Sequence, residues 1–267
     1  MSYKLGIIER EKLIAATQAD GVLWQLSARH VLFDKTSEKL FSLFEDGLTD
    51  GQLLEYIMYR HYKSIFQNSF QPATDKLDLL KKISANKRQF LNQDFNLLEE
   101  GAANQSFVFN RQTAREELLL KVCKFINIDP ESHRAIRIVQ TTEELVMTAQ
   151  ITAPIVKNSA DQSVSTLKIE YADQLLAISV LDDYGSLDCK KFLKKVESAL
   201  ALGLDKSINF GKGGAGIGSS LIFRNCDSLF LGVQANRKTR VSVIMPFNVA
   251  EKKFDSLQRS INIIEIK

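Results

Sequence analysis

A two-layer α/β sandwich, one antiparallel or mixed sheet with helices on one face, is the architecture predicted for residues 104–267, and a mostly helical region is predicted to precede it over 1–103. Three observations predict it. First, helical stripes alternate with pairs of strand-like segments, a pattern that yields hairpins and an α+β layer arrangement instead of parallel βαβ units. Second, glycine and proline are scarce, at 13 and 4, yet Gly211, Gly213, Gly214, Gly216 and Gly218 fall within eight residues. One loop therefore needs backbone freedom or close backbone approach. Third, the polar stretch 92–106, containing Gly101, separates a helical half from a mixed one and marks the boundary at 103/104.

In the first half, residues 9–19 read as a short amphipathic helix, and 21–26 and 30–33 as two short strands joined by a turn. Residues 37–46 and 50–66 carry apolar residues at helical spacing, and 74–98 reads as a longer polar helix. Tyr56, Tyr59, Tyr62 and Phe66 lie near helical spacing and read as core packing or as the face of a homodimer. In the second half, 106–110 reads as a strand and 112–127 as a helix with Ala114, Leu118, Val122 and Phe125 on one face. Asp129 and Pro130 are expected to cap and open the next helix. Its stripe is Ala135, Ile138, Val139, Thr142, Leu145, Val146 and Ala149. Residues 165–172 and 175–182 read as one hairpin, 228–235 and 239–247 as a second, and 260–266 as a last strand. Helices are expected at 188–202 and about 215–224.

The bulk properties exclude several classes. Lys and Arg number 35 against 32 acids, a net charge of +3, which gives no argument for nucleic acid as partner. Cys123, Cys189 and Cys226 are far apart and show no C-x-x-C spacing, so they read as reduced thiols and not as a zinc site. No segment approaches the ~20 apolar residues of a membrane span, and MSYKLGIIEREKL lacks a secretory signal's apolar run. No membrane role and a cytoplasmic location are the expectation.

Three elements carry candidate chemistry. In EELVMTAQ (143–150), Glu144 and Thr148 are four apart and share one helix side, where a carboxylate beside an oxygen ligand can hold Mg²⁺ or orient water. In SVLDDYGSLD (179–188), Asp182 closes an apolar strand and can accept a hydrogen bond from the exocyclic amine of adenine; a turn former is the plainer reading. In GKGGAGIGSSLIF (211–223), free backbone N–H groups and a following helix N-terminus suit phosphates, with Lys212 as an added cation. No G-K-[ST] closes this loop, so it is not a Walker A sequence, and it lacks the first βαβ unit of a dinucleotide fingerprint.

In this order, the three elements resemble the N, G1 and G2 boxes of the histidine-kinase-like (GHKL, Bergerat-fold) ATPases. ELVMTA resembles the N box, LDDYG a variant G1 box and GGAGIG the G2 box after the ATP lid. RQTAREELLLKVCKFINI resembles the first helix of the anti-sigma-factor-like branch, and TRVSVIMPF its late strand. The resemblance spans about 160 residues, three-fifths of the chain. It implies a two-layer sandwich of histidine-kinase-like ATPase type and a bacterial signalling context. It also implies that Glu144 orients water or the acceptor group and that Thr148 stands at the Mg²⁺ position. Asp182 would bind adenine and Gly185 make the pocket's turn. Gly211, Lys212, Gly213, Gly214, Ala215, Gly216, Ile217 and Gly218 would surround the phosphates of ATP or ADP. Two departures stand out: the family's Asn is Thr148, a weaker Mg²⁺ ligand, and the G1 box lacks its second glycine, with Ser186 or Leu187 in its place.

Three functions follow as expectations. One is an adenine-nucleotide-binding signalling regulator whose lid, about 203–213, reshapes a surface for a protein partner. Another is an active serine/threonine kinase of anti-sigma type or a slow ATPase, using Glu144. The third is a pseudo-ATPase interaction module. His30, His61 and His133 each lack the adjacent acid of a phosphoacceptor motif, which argues against a self-contained sensor kinase.

Overall fold

Strict alternation along the strands builds this molecule. The computed structural model describes residues 24–26, 42–44, 46–60, 62–152, 164–202, 218–247, 249–250, 254 and 256–266. Their strands are β1 (Trp24–Leu26), β2 (Ser42–Phe44), β3 (Ser64–Phe66), β4 (Ala103–Phe109), β5 (Ser165–Ala172), β6 (Leu175–Asp182), β7 (Ser228–Gln234), β8 (Lys238–Pro246) and β9 (Ser260–Ile266). They form one sheet in the order β1-β2-β3-β9-β7-β8-β6-β5-β4. The two expected hairpins are present: β5 pairs antiparallel with β6, and β7 with β8. β9 then lies parallel to β7, as the return connection through 247–259 requires.

The helices are α1 (Asp50–Tyr59), α2 (Ala73–Ala85), α3 (Lys87–Phe90), α4 (Arg115–Phe125), α5 (His133–Met147), α6 (Cys189–Leu202) and α7 (Gly218–Asn225). None of the described helices is long and apolar enough to cross a membrane. The fold is mixed α/β. On one sheet face Leu167, Ile169, Ile178, Val180, Leu229, Leu231, Val241 and Val243 meet the apolar sides of α1, α4, α5, α6 and α7. The α5 stripe is buried as its spacing requires: Ala135, Ile138, Thr142, Leu145, Val146 and Ala149 are each at most 3% exposed, and Val139 is half-buried.

The other face differs from the two-layer expectation. Ala177, Phe230, Ile244 and Ile264, one residue out of step with the first set, pack against Leu77, Leu80, Ile83, Phe90, Phe95, Leu97 and Leu98. Residues 66–98 thus form a third layer. The sheet runs across the 103/104 boundary, because β3 pairs antiparallel with β9.

Buried charge holds this layer in place. Arg240 is fully buried and donates to the carbonyls of Phe90 (2.8 Å), Asn92 (3.2 Å) and Phe95 (3.2 Å), and to Ser179 and Ser242. Glu170 accepts from the Leu97 and Leu98 amides at 2.9 and 3.1 Å. Its second oxygen lies 3.8 Å from Lys168 Nζ and 3.9 Å from Arg240. Lys76 and Asp227, both buried, pair at 2.6 Å, and Asp227 also accepts from the Phe70 amide. Each buried charge meets an opposite charge and several hydrogen bonds, the condition under which burial is tolerated.

Local differences have local causes. The helix expected over 50–66 stops at Tyr59, and Ser64–Phe66 becomes the strand that joins β2 to β9. Thr49 and Gln52 close a capping box at its start. A strand occupies 42–44, inside the helix expected over 37–46, since that pairing extends the sheet. The helix expected over 74–98 breaks at Asn86, which accepts from the Gln89 amide and so starts α3 instead of continuing α2. Asp129 caps only a turn, accepting from the Glu131 amide; Ser132 is the N-cap of α5. The helix expected over 9–19 and the strand over 30–33 lie outside the described residues.

Candidate functional site

The helix-facing surface of the sheet ends at Asp182. It continues the row Leu176, Ile178, Val180, so its carboxylate points to the helix layer and not into the buried-ion layer. Asp182 is 7% exposed. Its Oδ1 accepts from the Tyr184 amide at 2.9 Å. Burial pushes its carboxyl up to about 6 from an ordinary 3.8, and Asp183 adds to the rise. The amides of Tyr184 and Gly185 and the hydroxyl of Thr239 offset part of it.

Thr239 is the residue directly across from Asp182 on β8. It is 4% exposed, and its Oγ1 makes no well-formed hydrogen bond. The hydroxyl faces the Asp182 carboxylate and helps hold its charge, so the two form a buried polar pair across the ladder. Sequence reasoning missed Thr239. Only the strand register, which no local motif encodes, sets it opposite Asp182.

Gly185 makes the turn after Asp182. Its φ is +55°, and a Cβ there would overlap the backbone of Gln234 and Arg237 in the β7–β8 turn. The Asn236 amide donates to the Gly185 carbonyl at 3.0 Å. Gly185 therefore locks the Asp182 turn onto the hairpin that carries Thr239. Ser186 and Leu187 are half-buried, and Leu187 packs on the core.

Glu144 lies on the last turns of α5, which packs on both α7 and β6. It is half-buried. Burial holds its carboxyl above the usual carboxylate range; Glu143 pushes the same way and Arg115 opposes both. Arg115 pairs with Glu143 at 3.4 Å. The Glu144 carboxylate reaches Gly218, the first residue of α7: a Cβ on Gly218 would overlap Oε2 of Glu144. Two residues 74 positions apart in sequence, one from each expected box, are thus in contact.

Beyond Met147 the helix loosens into a π-type turn, Thr148–Thr152, which packs against β6. Such turns often mark functional positions. Thr148 is half-buried and donates its hydroxyl to the Glu144 carbonyl at 2.9 Å. Gln150 pins the turn by donating to the carbonyls of Asn110 and Thr113. Ser220, in the first turn of α7, is fully buried with an unpartnered hydroxyl.

Gly211, Lys212, Gly213, Gly214, Ala215, Gly216 and Ile217 lie outside the described residues, as does the 203–213 segment expected to act as a lid. The side chain of His133 and the whole of His30 and His61 lie outside them too. Cys123, Cys189 and Cys226 are unpaired and buried, and burial pushes Cys189 and Cys226 up to about 12. Comparison with known proteins finds no matching family model and no matching curated protein.

Proposed function

We propose that residues 104–267 bind an adenine nucleotide as a histidine-kinase-like ATPase domain, and that the chain is a cytoplasmic signalling regulator whose output is a protein partner. The observation that carries this reading is the Asp182–Thr239 pair, a buried carboxylate facing a buried hydroxyl across the ladder. Adenine offers the matching edge: its exocyclic amine donates and its neighbouring ring nitrogen accepts. The contact between Glu144 and Gly218 supports the second half of the reading, because it joins the N-box helix to the helix that follows the glycine loop. A nucleotide would supply the phosphates that this helix N-terminus suits. Asp182 and Thr239 would hold the base, and Gly185 would keep both in register.

Mg²⁺ fits less well. Thr148 spends its one proton on the Glu144 carbonyl and offers a single weak neutral oxygen. Nucleotide binding that depends little on Mg²⁺ is the expected behaviour. Thermal-shift and calorimetric titrations with ATP and ADP, with and without Mg²⁺, test this. The absence of any heat or shift at millimolar nucleotide refutes the reading.

A second reading, a kinase of anti-sigma type or a slow ATPase, draws on one observation. Burial raises the Glu144 carboxyl above the usual carboxylate range, the direction that makes it a stronger base. Phosphate release or phosphotransfer that disappears in Glu144→Ala supports it, and turnover unchanged by that substitution removes Glu144 from the role.

A further inference from the structure

β4 ends the strand order, and its outer edge pairs with no strand among the described residues. Sheets ordinarily protect such an edge with charge, proline or a bulge. β4 has none of these. Its sequence, ANQSFVF, is uncharged and free of proline, and its register with β5 runs unbroken from Ala103–Tyr171 to Phe109–Ser165. Ala103, Asn104, Gln105 and Ser106 are exposed, and Val108 is 68% exposed. The register sets Val108 on the same sheet face as Val164, itself 49% exposed, as diagonal neighbours. Charge flanks the strand asymmetrically. Glu99 and Glu100 precede it, Arg111 follows it, and all three are exposed.

We propose that this edge pairs antiparallel with the same edge of a second copy of the chain, so that two sheets become one. A two-fold axis at Ser106 aligns Asn104 with Val108 and Gln105 with Phe107 across the new ladder. It also brings Glu99 and Glu100 of one copy beside the partner subunit's Arg111, and the symmetry repeats that contact. Parallel pairing would set acid against acid and base against base. The charge pattern therefore selects the two-fold antiparallel arrangement, and the absence of charge within the strand leaves nothing to oppose it. A seven-residue ladder alone buries less than the ~1,200–2,000 Å² of a stable interface, so the dimer is concentration-dependent and loosens as salt rises.

Sedimentation equilibrium of the full chain, from low to several hundred micromolar, tests the proposal. The wild type is expected to dimerise across that range. Ser106→Lys sets two ammonium groups against each other at the axis and should raise the dissociation constant at least about tenfold. Arg111→Glu alone, and Glu99→Arg with Glu100→Arg, should each weaken association. A one-to-one mixture of those two variants should restore it, since both flanking contacts become attractive in the heterodimer. Unchanged thermal melting of each variant establishes that the fold is intact. A wild type that is monomeric throughout, a dimer indifferent to Ser106→Lys, or a mixture no tighter than either variant alone overturns the proposal.

Discussion

Thr239 and Arg240 are neighbours on β8 and face opposite sides of the sheet, and the two sides treat polar groups in opposite ways. On the Arg240 side every buried charge faces an opposite charge, and one oxygen of Glu170 is held by ion pairing alone. The guanidinium spends its donors on three carbonyls and two serines, and Glu170 lies between Lys168 and Arg240. Burial draws Arg240 down only to about 10, so it remains charged. On the Thr239 side the polar groups have fewer partners: a hydroxyl with no well-formed hydrogen bond, a carboxylate pushed up to about 6, and Glu144 held half-buried against a glycine. The first arrangement holds three layers together. The second keeps a carboxyl where burial disfavours its charge.

If that contrast is right, the largest effect should come from the closed side. Arg240→Leu strips one of two cations from Glu170, leaves the Phe90 carbonyl unpaired and removes a donor from the Asn92 and Phe95 carbonyls, and should cost about 3–5 kcal/mol. Urea unfolding measures it, and a loss below about 1 kcal/mol would show that apolar packing alone holds the layer over 66–98. Gly185→Ala comes next. Its Cβ meets backbone and not a movable side chain, so about 2–4 kcal/mol should be lost. Nucleotide affinity should fall with it.

Asp182→Asn should act in the other direction. Folding raises this carboxyl from 3.8 to about 6. The native state therefore binds the extra proton in that window, and stability falls as pH climbs through it. Above about pH 6 the ionised group costs about 3 kcal/mol, which the amide avoids. The variant should melt higher than wild type by about 5–10 °C at neutral pH. The difference should vanish below about pH 4, where both side chains are neutral. Melting curves across pH would expose a wrong sign at once. The smallest effect belongs to Gly218→Ala. The new methyl displaces only the flexible end of Glu144, so stability should change by less than about 1 kcal/mol. Any activity that depends on Glu144 should drop with it.

The sequence made one side of this comparison legible. The hairpins 165–182 and 228–246, the strand 260–266 and the α5 stripe all follow from period. Asp182 stands out because it ends an apolar strand, and Glu144 because it shares a helix side with Thr148 four residues on. The closed side was hidden by that same alternation. Leu167-Lys168-Ile169-Glu170 reads as one buried face and one wet face, and a charged row gives no sign that residues 66–98 will cover it. Lys76 and Asp227 lie 151 positions apart, and their pairing is a tertiary fact that no window of sequence contains. Thr239 was missed for the same reason: its meaning lies in its partner across the ladder.

The proposed recognition of adenine by Asp182 and Thr239 is tested most directly by titrating ATP and GTP calorimetrically into wild type and Asp182→Asn at neutral pH. The account predicts that ATP binds wild type, that GTP, whose carbonyl would face the Asp182 carboxylate, binds at least about tenfold more weakly, and that the variant loses the preference. Equal affinity for the two nucleotides, or ATP binding undiminished in Asp182→Asn, would contradict it.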